Sequence, residues 1–154
     1  MRVSIGQDSH RFDTGVSDKP LMLGGVVFPD APALSANSDG DVVLHALTNA
    51  VSGITCKNIL GAPADRLCQS GITDSRAYLR LALEDLEEEI IHVSISIECL
   101  RPKITPMIPC MRSCIAGLLH IPENAVGITA TTGEGLTACG RGEGISVLCC
   151  LTVG

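Results

Sequence analysis

The sequence predicts an α+β fold: one domain of two layers, with helices packed on one face of a mixed β-sheet. Three observations carry this expectation. Val93, Ile95, Ile97 and Cys99 alternate with Ser94, Ser96 and Glu98, the period-two pattern of a strand with one buried face. Such segments alternate along the chain with segments of helical spacing and no detectable repeat, as in a helix-on-sheet sandwich. The length of 154 residues suffices for one substantial core and requires no second domain, so residues 1–154 read as a single unit.

Taken in order, residues 2–6 read as a short strand that delivers Asp8 and His10. Leu21 to Phe28 forms two extended runs broken by Gly24-Gly25, the pattern of a hairpin. Asn37-Ser38-Asp39-Gly40-Asp41 is dense in capping and turn residues, and Val43, Leu44, Leu47, Ala50, Val51 and Ile54 follow at helical spacing. A helix should therefore start near Asp41, with His45 in its first or second turn. Lys57 to Thr73 shows no sustained period and reads as a long, mobile loop of the kind that covers active sites. Asp74-Ser75 can cap a helix through about Glu88, with Tyr78, Leu79, Ala82 and Leu86 inward and Glu87 to Glu89 as a solvated end opposing the helix dipole. After the Val93 strand, a helix is expected beyond Pro106, with Met107, Ile108, Met111, Ile115 and Leu118 on its apolar side. Ala125 to Thr131 and Ile145 to Val153 are strand-like.

Composition narrows the function. A net charge of -6 with no basic run or stacking surface argues against nucleic acid as a partner. The longest apolar stretches are too short to span a bilayer, and MRVSIGQDSH lacks a signal-peptide apolar region, so no membrane partner and a cytoplasmic location are expected. Eight cysteines without a C-x-x-C pair read as reduced, small buried hydrophobes. Aromatic content of 2% leaves the core, and any trimer or dimer interface, to aliphatic side chains.

Asp8 and His10 form an Asp-x-His pair whose i, i+2 spacing on a strand turns both side chains to one face. His45 on the following helix supplies a third candidate ligand. One carboxylate and two imidazoles with a fourth position open is the donor set of a catalytic zinc. Ala130-Thr131-Thr132-Gly133-Glu134-Gly135 and Gly140-Arg141-Gly142-Glu143-Gly144 are glycine-bearing turns whose amides, hydroxyls and arginine can hold phosphate, with Glu134 as a ligand for Mg²⁺ on the same oxygens. Neither matches a P-loop. Lys103 is a phosphate or base contact or else an ordinary exposed lysine, and His92 and His120 read as surface positions.

Together, G-Q-D-S-H (6–10), S-D-G-D-V-V-L-H-A-L (38–47), D-S-R (74–76), R-P-K (101–103) and T-T-G-E followed by G-R-G-E-G resemble the 2-C-methyl-D-erythritol 2,4-cyclodiphosphate synthase family over nearly the full length. The resemblance implies an enzyme of non-mevalonate isoprenoid biosynthesis that cyclises 4-diphosphocytidyl-2-C-methyl-D-erythritol 2-phosphate and releases CMP. It implies a homotrimer with active sites between subunits and a central channel that takes an isoprenoid diphosphate. Asp8, His10 and His45 correspond to zinc ligands, and Glu134 to the ligand of Mg²⁺ or Mn²⁺. Thr131 and Thr132 match the strand end facing the nucleotide and phosphates, with Thr132 and Asn37 in the catalytic positions. Ser38 matches a substrate-contacting serine. Lys103 and the backbone of Leu100 to Thr105, Ile104 included, match the cytidine pocket, and Arg141 and Glu143 match channel residues.

Departures from the family pattern are local. Asn37 stands where the family commonly has histidine; an amide donates a hydrogen bond but shuttles no proton. Asn49 replaces an aspartate, Gln7 an apolar or aromatic residue, and Gly135 and Ala138 a lysine and an aromatic. Across 57–73 the family patterns are reduced, leaving Asn58 and Asp65 as the ribose and erythritol contacts. Two alternatives stand beside the synthase: a metal-dependent phosphohydrolase using the same ligands, and a catalytically decayed trimer that binds isoprenoid diphosphates.

Overall fold

The computed structural model describes residues 1–154. In chain order the elements are β1 (Arg2–Arg11), β2 (Leu21–Leu23), β3 (Val26–Phe28), α1 (Val42–Thr55), α2 (Ala62–Gln69), α3 (Ser75–Leu83), β4 (Ile90–Glu98), α4 (Ile108–Leu119), β5 (Val126–Thr131) and β6 (Gly144–Val153). Four strands form a mixed sheet in the order β1-β6-β4-β5. β6 pairs antiparallel with both β1 and β4, and β4 runs parallel to β5, the crossover between them carrying α4. β2 and β3 make a separate hairpin whose turn uses Gly24 and Gly25 at positive φ.

Period two decides the faces. Val93, Ile95, Ile97, Val147, Cys149 and Leu151 point to one side and are fully buried in one core with α1 residues Leu44, Leu47 and Val51. The opposite face carries no helix, and Val3, Ile5 and Leu148 remain exposed there by 60%, 66% and 47%. The helix-on-one-face layering matches the expectation from sequence. At Gly6, β1 lies directly against α1: a Cβ there would stand 1.9 Å from the Ala46 carbonyl oxygen.

Helix ends follow local chemistry. The Asp41 carboxylate accepts from the Leu44 N–H at 3.0 Å and caps α1, which begins one residue later. The same carboxylate accepts from Gly24 N and Gly25 N at 2.8 and 2.7 Å, pinning the hairpin turn to the helix start. Asp74 caps α3 through Arg76 N.

Four expectations need correction. β1 runs to Arg11 and not only to Gly6, so the strand itself carries the Asp8-x-His10 pair on one face, as the spacing requires. The 57–73 segment is not a structureless loop but contains α2, opened by Gly61 and Pro63. Only Ala64 is fully buried, and a helix of eight residues opened by glycine and proline is too short for its pattern to stand out from a loop. α3 stops at Leu83 and not near Glu88, because acidic residues at the negative end of the helix dipole disfavour continuation. Glu87 to Glu89 therefore lie in the connection to β4, where Lys57 pairs with Asp85 and Arg2 with Glu88. α4 begins only at Ile108, after a 3₁₀ turn over Thr105–Met107. All eight cysteines are free, with Cys99 and Cys149 buried, and His92 and His120 are exposed. No helix is long and apolar enough to cross a membrane.

Candidate metal centre

β1 and α1 bring Asp8, His10 and His45 to one point. The even-numbered residues of β1 face α1, where Gly6 allows close approach, and His45 emerges from the first turn of the helix next to Ala46, whose carbonyl faces Gly6. Asp8 Oδ2 lies 3.0 Å from His10 Nε2 and 3.0 Å from His45 Nδ1, and the two nitrogens are 3.3 Å apart. A tetrahedral ion about 2.0–2.1 Å from each donor sets its ligand atoms about 3.3 Å apart. The donor spacing and the mixed N/O donor set fit a divalent metal ion.

Electrostatics agree with the geometry. Burial works to raise the Asp8 carboxyl, but hydrogen bonds and charge from His10 and His45 outweigh it and hold the group well below the ordinary carboxylate range. The hydrogen bond that His10 donates to the Asp8 carboxylate raises His10 above the ordinary imidazole value, against the opposing effect of burial. The far side of each ring is also engaged: His10 Nδ1 sits 3.0 Å from the Ser35 carbonyl, and His45 Nε2 sits 2.8 Å from Ser75 Oγ.

The three residues line a cavity of about 530 Å³ together with Asn37, Ser38, Asn49, Asp65, Cys68 and Tyr78. Of the residues predicted from sequence, Asp8, His10, His45, Asn37, Ser38 and Asp65 thus converge. Asn58 is exposed outside the cavity, its amide beside Gly61 of the cavity wall. The others lie elsewhere on the protomer. Leu100, Lys103, Ile104 and Thr105 follow β4, while Thr131, Thr132 and Glu134 end β5, the two strands being joined by the Cys99 N–H to Thr131 carbonyl bond at 3.1 Å. In the sheet, Ser9 pairs with Ser146, Ser146 with Glu98, and Glu98 with Thr131. Three strand spacings therefore separate the β1 ligands from the β5 cluster, about 14 Å. Ile104 is buried in the core, so only its backbone can meet a ligand. Arg141 is exposed and pairs with Glu143 at 3.6 Å, beside Arg11.

Sequence reasoning assigned no site role to Ser75, Asp39, Tyr78 or Cys68. Asp39 and Ser75 carried capping signals and membership of the S-D-G-D and D-S-R motifs but no assigned role, and Cys68 and Tyr78 reach the cavity through helices whose relative placement is tertiary.

A family model described as the YgbB family matches residues 1–154. The chain belongs to the YgbB family. Among curated YgbB relatives, 2-C-methyl-D-erythritol 2,4-cyclodiphosphate synthase of Chlamydia trachomatis serovar A is 52% identical over 155 aligned positions, spanning 99% of this chain and 87% of that protein. A solved 2C-methyl-D-erythritol-2,4-cyclodiphosphate synthase superposes with a TM-score of 0.87 at 27% identity, covering 99% of this chain and 100% of the other. A second structure of such a synthase, in a CDP-bound form, gives 0.85 at 26% identity over 99% and 100% of the two chains. The resemblance read from motifs and the α+β fold are both supported by these relatives.

Proposed function

We propose that this YgbB-family chain is a cytosolic, zinc-dependent 2-C-methyl-D-erythritol 2,4-cyclodiphosphate synthase working as a homotrimer. The convergence of Asp8, His10 and His45 at the cavity wall carries the reading. In the reaction a 2-phosphate oxygen forms a bond to the β-phosphorus, the bond from the β-phosphorus to the bridging oxygen breaks, and that oxygen departs with the electron pair on the α-phosphate of CMP. Two imidazoles and one carboxylate select zinc over magnesium, which prefers an all-oxygen shell. Zinc held there supplies a Lewis acid for a phosphoryl oxygen.

The chain's own groups do the positioning. Asp8, His10 and His45 fix the metal on two rigid elements, while Ser38 and Asn37 line the same cavity and offer hydrogen bonds to the substrate. Asp65 and, nearby, Asn58 are assigned to the sugar end. Glu134 is an exposed carboxylate at the end of β5, suited to Mg²⁺ or Mn²⁺ carried by the diphosphate. Lys103, the Leu100 to Thr105 backbone, Thr131 and Thr132 are assigned to the cytidine and its phosphates. No covalent enzyme intermediate is needed; alignment of two groups in one molecule can supply ~7–11 kcal/mol.

Two observations support the trimer. The nucleotide half of the predicted site lies about 14 Å across the sheet from the metal half, at the opposite edge strand, so a neighbouring copy is needed to bring the halves together. The helix-free sheet face leaves Val3, Ile5 and Leu148 for such an interface. Arg11 and Arg141 near one end supply the positive charge for an isoprenoid diphosphate in the channel between copies.

Phosphorus NMR on the cytidylyl substrate tests the activity. CMP plus a cyclic diphosphate is expected, a linear phosphate would instead identify a phosphohydrolase, and no turnover with zinc bound would identify a binding protein. His45→Ala should abolish zinc binding and CMP release while leaving the assembly intact; turnover persisting in that zinc-free variant overturns the metal reading.

A further inference from the structure

We infer that Asp39 and Ser75 are positioning residues that fix the proton on His45 and thereby present its Nδ1 lone pair to the metal, an inference that rests on the metal reading above. Ser75 is fully buried at the first turn of α3. Its hydroxyl donates to Asp39 Oδ1 in a short contact, and its backbone N–H donates to Asp39 Oδ2 at 3.0 Å. A serine hydroxyl has one hydrogen, and an ionised carboxylate only accepts. With that hydrogen given to Asp39, Ser75 Oγ can meet His45 Nε2, 2.8 Å away, only as an acceptor. Nε2 must then carry the hydrogen. In the neutral ring the lone pair is left on Nδ1, the nitrogen that faces Asp8 and His10.

Asp39 is itself held in place. Its Oδ1 accepts from Asp41 N at 3.0 Å, and its own N–H donates to the Thr73 carbonyl at 2.8 Å. The relay therefore links the loop before α1 to the start of α3, and His45 is braced between them. His10 is set in the opposite sense. Its Nδ1 lies 3.0 Å from the Ser35 carbonyl, an acceptor only, so its hydrogen sits on Nδ1 and Nε2 is left for the metal. One ligand uses a carbonyl and the other a Ser-Asp relay, and each ring offers the nitrogen that the strand or the helix points inward.

The test uses zinc itself as the probe. Competition against a chromogenic chelator gives the zinc affinity of the full chain, of Ser75→Ala and of Ser75→Thr. Loss of an outer hydrogen-bond partner of a metal-bound histidine weakens metal binding by about 10–100-fold. Ser75→Ala should show that loss, and Ser75→Thr, which keeps a hydroxyl, should recover most of the affinity. Unchanged affinity in Ser75→Ala, or an equal loss in Ser75→Thr, overturns the relay. A second measurement needs no variant: long-range ¹H–¹⁵N spectra of the zinc-loaded chain should show His45 protonated on Nε2 and His10 on Nδ1, and the reverse pattern at His45 overturns the inference. Failure of the unmutated chain to bind zinc would instead overturn the metal reading on which it rests.

Discussion

Gly6→Ala is expected to damage the metal centre without touching a ligand. Gly6 lies on β1 two residues before Asp8 and on the same face, and a Cβ there would stand 1.9 Å from the Ala46 carbonyl oxygen and 2.4 Å from the Ala50 nitrogen. Both obstacles are backbone atoms of α1, so no rotamer change relieves them. Raising the nearer contact to the 3.4 Å of ordinary van der Waals contact moves strand and helix apart by about 1.5 Å. The donor atoms sit only 3.0–3.3 Å from one another, and metal-ligand distances tolerate about ±0.2 Å. Misplacement by about 1 Å costs on the order of 100-fold, so zinc affinity and turnover should fall at least that far. Overpacking adds a stability cost of about 1–3 kcal/mol, roughly 2–12 °C in melting temperature for a chain of this size. Gly127→Ala on β5 is the control, since a Cβ there meets nothing closer than the Val93 carbonyl oxygen at 3.8 Å. Chelator competition and calorimetry on both variants decide the matter. Zinc affinity and melting temperature in Gly6→Ala equal to those of Gly127→Ala would refute the argument that this contact sets the site.

Asn37→His restores an imidazole at the cavity wall, and equal or faster CMP release is expected by phosphorus NMR; a large loss would show a pocket rebuilt around the amide. Asp41→Ala leaves the N–H groups of Gly24, Gly25 and Leu44 without their buried acceptor and should cost about 3–5 kcal/mol, read by chemical denaturation, whereas a cost under about 1 kcal/mol would contradict the clamp. Burial pushes the Cys149 thiol up to about 12, so at about pH 8 only ~10⁻⁴ of it is thiolate. Iodoacetamide followed by peptide mass spectrometry should label exposed Cys56 and Cys110 first and leave Cys149 unmodified until denaturation; early labelling of Cys149 would contradict its burial.

The metal half of the site was legible in sequence because its signals are local. Asp8 and His10 share a strand face by period alone, and His45 follows a cap that places it at a helix start. The pairing of that strand with that helix was inferred, and Gly6 is its physical cause. The strand face was legible for β4, whose alternation from Val93 to Ile97 the core repeats residue by residue. α2 was missed because so short a helix buries little, and the end of α3 was misplaced because Leu86 continues the spacing after the helix has stopped. No local sequence pattern separates the nucleotide motifs from the metal ligands; only the family resemblance implied a site shared between subunits. The separation follows from β6 inserting between β1 and β4, a topology that neither motif encodes.

That topology assigns different tolerances to the two halves. The metal centre is braced by backbone contact at Gly6, by the Asp41 clamp on the hairpin, and by the Asp39 contacts to Ser75, none of which involves residues 57–73. Departures from the family pattern include residues of 57–73 and Asn37 on the cavity wall, and also Gln7 on β1 and Asn49 on α1, where the Asn49 amide donates to the Gln7 carbonyl at 3.0 Å. A wall built from one short helix can change its side chains while the donor atoms keep their 3.0–3.3 Å spacing. The backbone braces fix the donor atoms on β1 and α1, whereas on α2 only Ala64 is fully buried, so substitutions on α2 should move zinc affinity less than Gly6→Ala does.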